Sequence, residues 1–550
     1  MKKLWKRFGA IAMMVVLVLT MALPVMAAGT NSKTITGTPS ASDTGKVEIS
    51  GLTEGDTVTF YQIVKANYDA SGFLGYEAVK DNTIALFDKD GNAIYPSAEQ
   101  ITALALDPSG LKSEGPVTAE GATVSRELAA GEWLVVVTPE DATTIYNPLV
   151  ASVYYTGEGG KTIESGKVDA GETYTINGTS SYVKKSTTDV DKKITGGKYE
   201  GKEEERTVAG EHGDDLAIGD TINFQIDSTI PAYSDEYKNL EYEISDTMDA
   251  GLDFNQDSLV ITVGGASVDA KNYDLTKEAH GFKIAFKEDY LRDLAAETET
   301  ARKVVVTYSG TLNKDATTNF DANQNTVKIT FTNKPGENQK AEEIEKKTYQ
   351  YTFEIDGSIG GTDTTRTHKT HELIKTGEGG SVADGTIIDD GWSETTVTSP
   401  LSDAEFTLTN TTTGKVYTAK TDASGYMNFK GLDAGSYTLK ETKAPDGYSL
   451  NSKEIPVVIS ADYNTDGTLK SYTITVDGNN TSTYEAKYAS DNSGNVTEVH
   501  EEAVKSTEIK NTKMNNLPST GGMGTYLFTF VGAVLIVLGV IVHRRNKAVK

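Results

Sequence analysis

Tyr437-Thr438-Leu439-Lys440-Glu441-Thr442-Lys443-Ala444-Pro445-Asp446-Gly447-Tyr448 is the stretch that decides the fold of this 550-residue chain. Its alternation is that of a β-strand, with Tyr437, Leu439 and Glu441 on one face of a sheet. A carboxyl in line with core apolar residues is costly to bury as an anion. Glu441 must therefore hold a proton or find a partner, unless it lies on an edge strand facing water.

The same alternation recurs outward from this stretch. Thr57–Val64, Glu132–Val137, Thr326–Thr332 and Ser471–Val476 are apolar and β-branched runs punctuated by Gly, Asn, Asp and Ser. Strands with turn signals at short spacing predict an all-β chain of tandem immunoglobulin-like sandwiches. Helical periodicity is weak away from the ends, and Glu288–Thr298 is its best candidate. Gly55-Asp56-Thr57-Val58-Thr59-Phe60 returns as Gly219-Asp220-Thr221-Ile222-Asn223-Phe224, which suggests repeated sandwich-sized units or simply a shared way of starting a strand. Charged or Gly-rich stretches near 195–213 and 357–370 read as loops or linkers.

Composition narrows the function. The chain has no cysteine, so disulfides, thiolate nucleophiles and Cys-based metal sites are excluded together. A net charge of −27 argues against nucleic-acid binding, which runs on clustered Lys and Arg. There are six His, and no HExxH, GxSxG or phosphate loop, so conventional catalysis and a cofactor are not expected. Asp462-Tyr463-Asn464-Thr465-Asp466-Gly467 has the opening of a calcium loop, but Thr473 stands where the bidentate Glu belongs. A hairpin turn is the better reading, and no metal is assigned.

The two ends give an address. Lys2, Lys3, Lys6 and Arg7 precede an apolar run from about Phe8 to Leu23 and a Val25-Met26-Ala27 ending, which reads as a secretory signal peptide over 1–27. At the other end stand Leu517-Pro518-Ser519-Thr520-Gly521, an uncharged run from Thr525 to Val542, and the basic Arg544, Arg545 and Lys547. The run is long enough for a transmembrane helix, and the basic tail would stay inside. Loss of these seven basic residues and Lys550, eight in all, would take the charge from −27 to −35, which favours solubility.

The order of motif, helix and tail resembles the sorting signal of Gram-positive wall proteins. That resemblance implies that a sortase attacks the Thr520 carbonyl and releases Gly521 onward, with Leu517 and Pro518 completing its recognition motif. The stretch from Tyr437 likewise resembles the YxLxET-x-A-P-x-GY box of Cna B-type domains, where the Glu assists an intramolecular Lys–Asn isopeptide bond. By that likeness the amine is Lys375, in His371-Glu372-Leu373-Ile374-Lys375-Thr376, ahead of the family-like Leu401–Leu408. The amide is Asn511, in Glu508-Ile509-Lys510-Asn511. A long insert between Lys375 and Leu401 departs from the compact pattern.

The middle of the chain resembles the D2 domain of backbone pilins. Val190, Lys192 and Ile194 share a face; Tyr242–Met248 carries Asp246; and Asn325 and Asn333 share parity with Val327, Ile329 and Phe331. The resemblance implies Lys192 as amine, Asp246 as assisting acid and Asn333 or Asn325 as amide. Alternation does not choose between the two, and the parallel of Ile329–Asn333 with the last strand favours Asn333. Tyr182-Val183-Lys184 resembles, without its proline, the motif whose lysine resolves the sortase thioester in pilins, which implies Lys184, or Lys185, as the inter-subunit linkage.

Together these resemblances predict a backbone pilin divided into 28–184, 185–355, 356–515 and a sorting signal over 516–550. Its implied partners are sortase, identical subunits, ancillary pilins and peptidoglycan, on a Gram-positive wall. The alternative is an ancillary pilin or a monomeric wall-anchored adhesin that binds a host surface protein or glycan.

Overall fold

In the computed structural model the described residues are 31–70, 72–79, 96–157, 163, 173–234, 237, 239–297, 300–333, 342–361, 370–384, 395–490, 493–514, 529–538 and 540. The all-β expectation holds. The described chain divides into two compact units. The first comprises the described parts of Met1–Asp214, Gly219–Ala316 and Asn323–Gln350, and the second those of Asp215–Ile218, Thr317–Ala322 and Tyr351–Lys550.

The first unit contains two sets of sheets. Up to about residue 187 a seven-stranded sheet, centred on Thr57–Asp69 and Gly131–Thr138, accompanies a three-stranded one. Trp133, Val135 and Val137 on one face of the strand Gly131–Thr138 join a core with Phe60, Tyr155 and Ile176. The opposite face meets Leu104 of the helix Ala98–Leu106.

From Val190 onward two six-stranded sheets follow. One is built on Val190–Lys198, Thr221–Ile230 and Arg302–Leu312; the other on Tyr242–Met248, Asn323–Phe331 and Glu342–Tyr351. The period-two burial that a two-sheet sandwich requires is plainest in Thr221–Ile230 and Asn323–Phe331, which alternate without interruption. The one described α-helix of this region, Glu288–Glu297, matches the helical stretch read from the sequence and buries Leu291 and Leu294. The expected loop at 195–213 begins later, because the first strand runs on to Lys198 through a bulge between Ile194 and Gly196.

The repeated Gly-Asp hexapeptides are the same turn used twice. Gly55 and Gly219 have φ of +92° and +94°, values that suit glycine. The Asp after each is buried and accepts backbone N–H groups: Asp56 from Thr53 and Glu140, Asp220 from Glu200.

In the second unit a seven-stranded sheet carries Glu405–Asn410, Gly435–Lys443, Ile455–Tyr463 and Leu469–Val476, beside a three-stranded sheet of Thr396–Pro400, Leu373–Ala383 and Thr507–Lys510. Leu373–Ala383 and Thr507–Lys510 run parallel, with Lys375 opposite Ile509. The insert after Lys375 continues its strand, which folds back as Thr396–Pro400 with Ser381 opposite Thr398. The calcium-like segment is the turn between Ile455–Tyr463 and Leu469–Val476, where Asp466 Oδ1 accepts from Thr468 N and Oγ1.

Residues 1–30 and 515–528, and with them the signal peptide, Leu517, Pro518, Thr520 and Gly521, lie outside the described residues. The run Thr525–Val542 is described only at 529–538 and 540, where it is helical. Among the described residues no helix is long and apolar enough to cross a membrane.

Candidate functional site

The second unit buries a lysine among an acid and an amide. Tyr437, Leu439 and Glu441 all point inward, and the Glu441 side chain is 1% exposed. Lys375 comes from the three-stranded sheet and is completely buried. Asn511 follows the last strand and is tied by its N–H to Thr376 O at 3.0 Å. Lys375 Nζ donates to Asn511 Oδ1 and lies 3.0 Å from Glu441 Oε1. Glu441 Oε1 also accepts from Asn511 Nδ2 at 2.9 Å, while Oε2 accepts from Asn451 N at 2.6 Å. The Lys375 nitrogen lies 5.4 Å from the Phe406 ring centre. Burial lowers the Lys375 pKa, against the opposing pull of Glu441.

The middle sandwich buries a second lysine between its two sheets. Lys192 and Asp246 are both fully buried, and Nζ donates to Asp246 Oδ2. Nζ also donates to Tyr308 OH at 2.8 Å. The phenol donates to Asp246 Oδ2 at 2.7 Å and accepts from Asn325 Nδ2 at 3.2 Å. Burial pulls Lys192 down, to about 8, with Asp246 opposing. Burial raises the Asp246 carboxyl, with Lys192 as the main counterweight. Asp246 Oδ1 and Asn325 Oδ1 are buried with no hydrogen-bond partner.

Of the two asparagines the sequence offered, the structure brings one to this site. It is Asn325 that reaches the Lys192 site; Asn333 lies past the end of its strand, with Nδ2 3.5 Å from Ala142 O. The register explains why. Asn325 pairs with Met248, two residues from Asp246, whereas Phe331 already pairs with Tyr242 at the far end of that strand. Eight residues of extended chain separate the two asparagines by about 26 Å. Tyr308 belongs to the site as well, and the sequence does not single it out. It alternates inward with Val304 and Val306 like any core aromatic.

Lys184 and Lys185 are exposed, on either side of the boundary between the strand Ser180–Tyr182 and the strand Lys185–Thr187. Val183 between them and Tyr182 is fully buried. Asn147 N donates to Lys184 O at 3.0 Å. Lys185 Nζ donates to Thr53 Oγ1 at 3.1 Å and stands 5.9 Å from the Tyr146 ring centre.

The described chain is thus a series of β-sandwiches, two of which bury a lysine against an acid and an asparagine. Four family matches follow one another along the chain. Residues 42–189 match the T6 antigen Ig-like domain, and 218–335 the Cna-B-like domain of Gram-positive pilin backbone subunit 2. Residues 393–471 match the SpaA prealbumin-like fold domain, and 509–549 the LPXTG cell wall anchor motif. The trypsin-resistant surface T6 protein of Streptococcus pyogenes serotype M6 is 24% identical, over 92% of this chain and 96% of that protein. The solved T6 backbone pilin of serotype M6 superposes with a TM-score of 0.58 at 18% identity, over 87% of this chain and all of that one. The major pilin SpaA of Corynebacterium diphtheriae gives 0.46 at 13% identity, over 85% of this chain and all of that one.

The chain carries pilin-backbone domain matches and an LPXTG cell wall anchor motif, and together these support a sortase-assembled major pilin of the Gram-positive type. It is a structural subunit and not an enzyme, processed by sortase, polymerised with other pilin subunits and carried in a pilus anchored to the cell wall.

Proposed function

We propose that this backbone subunit carries two internal Lys–Asn isopeptide bonds and one between subunits. The internal pairs are Lys375 with Asn511, assisted by Glu441, and Lys192 with Asn325, assisted by Asp246. The observation that carries the reading is the repeated burial of a lysine nitrogen within hydrogen-bonding distance of an acid that also neighbours an asparagine amide.

The chemistry follows from burial. In an apolar site the ammonium gives its proton to the acid more readily than in water, because desolvation disfavours both charges. The free amine attacks the asparagine Cγ, the Cγ–Nδ2 bond breaks, and ammonia leaves. The neutral acid hydrogen-bonds the carboxamide and polarises it. A buried ion pair, costly to desolvate, is thereby replaced by a neutral amide and a neutral acid.

Between subunits, Thr520 of one chain joins Lys184 of the next, with Lys185 as the alternative. Lys184 is exposed, as an amine that must meet a second protein has to be. A head-to-tail contact that does not close on itself yields a filament. The working divisions are a signal peptide to 27, domains over 28–184, 185–355 and 356–515, and a sorting signal from 516. Ancillary pilins and peptidoglycan complete the assembly.

Mass spectrometry of the full chain and its tryptic peptides tests the internal bonds. Each bond removes one ammonia, about 17 Da. A chain at its sequence mass, with free Lys192 and Lys375 peptides, refutes both.

A further inference from the structure

The middle site differs from the C-terminal one in how the acid meets the two nitrogens that exchange partners. At the C-terminal site Glu441 Oε1 alone takes hydrogen bonds from both, Lys375 Nζ at 3.0 Å and Asn511 Nδ2 at 2.9 Å. In the middle site the acid is Asp246, one methylene shorter, and the oxygen hydrogen-bonded to both nitrogens is the Tyr308 phenol. It lies 2.8 Å from Lys192 Nζ and 3.2 Å from Asn325 Nδ2, with its own proton on Asp246 Oδ2 at 2.7 Å.

The ring is held firmly in that place. Tyr308 stacks on its cross-strand partner Phe224 at 5.3 Å and 28°, and Phe282 and Phe254 meet it edge-on at 4.9 and 6.0 Å. The hydroxyl is therefore presented to the site by three aromatic contacts that do not depend on it. Packing alone would be served by phenylalanine, and a buried hydroxyl is expensive without partners. Here it has three.

The geometry points to Tyr308 as a catalytic residue of the middle domain, relaying a proton from the attacking nitrogen of Lys192 to the leaving nitrogen of Asn325. This rests on the Lys192–Asn325 bond proposed above. Lys192 first gives a proton to Asp246, which no longer needs the phenol as donor. As the Nζ–Cγ bond forms, Nζ passes a second proton to the phenol oxygen and the phenol passes its own to Nδ2. The Cγ–Nδ2 bond breaks and ammonia leaves. Tyr308 ends as the neutral phenol it began as, and no oxidant or second reactant is required. Its high pKa, set by burial and then by Asp246, keeps it protonated throughout.

The test is timed cell-free synthesis of the full chain as wild type and as Tyr308→Phe. Samples are quenched in acid, digested, and scored for the Lys192–Asn325 and Lys375–Asn511 cross-linked peptides. Loss of a proton-transfer group slows such a step by about 100-fold or more, so in Tyr308→Phe the middle link lags by that factor while the C-terminal link keeps its wild-type rate. A middle link formed at the wild-type rate overturns the relay. So does a Tyr308→Phe chain whose middle region is digested, before quenching, as fast as denatured chain, since the hydroxyl then serves folding. Absence of the Lys192–Asn325 peptide from the wild type sinks the bond itself, an outcome distinct from a failed relay.

Discussion

Lys375 and Asn511, 136 residues apart in sequence, meet where two neighbouring strands run parallel, and the amine of one donates to the amide oxygen of the other. Parallel neighbours cannot be joined by a tight turn, and everything between them is the domain itself. A covalent bond here closes almost the whole domain into one loop, and tension applied at the two strands passes through the bond.

Asn511→Ala removes the amide and leaves Lys375 beside Glu441. The ammonia deficit of the full chain should fall from two to one. Closing a loop of this length by a cross-link stabilises by about 5 kcal/mol in the chain-entropy account, so the denaturation midpoint of the second unit should drop sharply. An unchanged midpoint with the deficit still at two would show that Asn511 is not the partner.

Asn325→Ala and Asn333→Ala separate the two candidates in the middle sandwich. Asn325→Ala should abolish the Lys192 cross-linked peptide, whereas Asn333→Ala should leave it at full yield. Peptide mapping with the reverse pattern would return the assignment to Asn333.

Lys184→Ala should abolish the high-mass ladder expected in boiled, detergent-treated wall extracts, with monomer still produced. Lys185→Ala should leave the ladder. If the ladder survives both changes made together, the linkage lies elsewhere.

Glu132 gives the first unit a pH dependence. Its side chain is fully buried, shares a strand face with Leu134, and neither carboxyl oxygen has a partner. Burial raises its pKa to about 8. The folded value lies above the unfolded one, so the associated stability is fully present below about pH 4.5 and is lost as pH rises towards 8. Glu132→Gln should therefore stabilise the first unit at pH 8–9, by something on the order of a few kcal/mol, and change little near pH 4. Parallel melting curves for wild type and variant across this range would contradict it.

Alternation alone told which side chains face inward. Tyr437, Leu439 and Glu441, or Val190, Lys192 and Ile194, show a period of two that survives any arrangement of the sheets. Composition supplied more, since a chain without cysteine has no disulfides and no thiolate chemistry. The address written at the two ends was equally local.

Position along a strand was beyond it. Asn325 and Asn333 have the same parity, and only the pairing of Asn323–Phe331 with Tyr242–Met248 places one of them near Asp246 and leaves the other past the strand end. Tyr308 and Glu132 were hidden for a related reason. A phenol or carboxyl on an inward face acquires its role from groups on other strands, and those neighbours are set by sheet register and by the packing of one sheet on the other. Sequence periodicity determined the face; non-local register decided what each face touches.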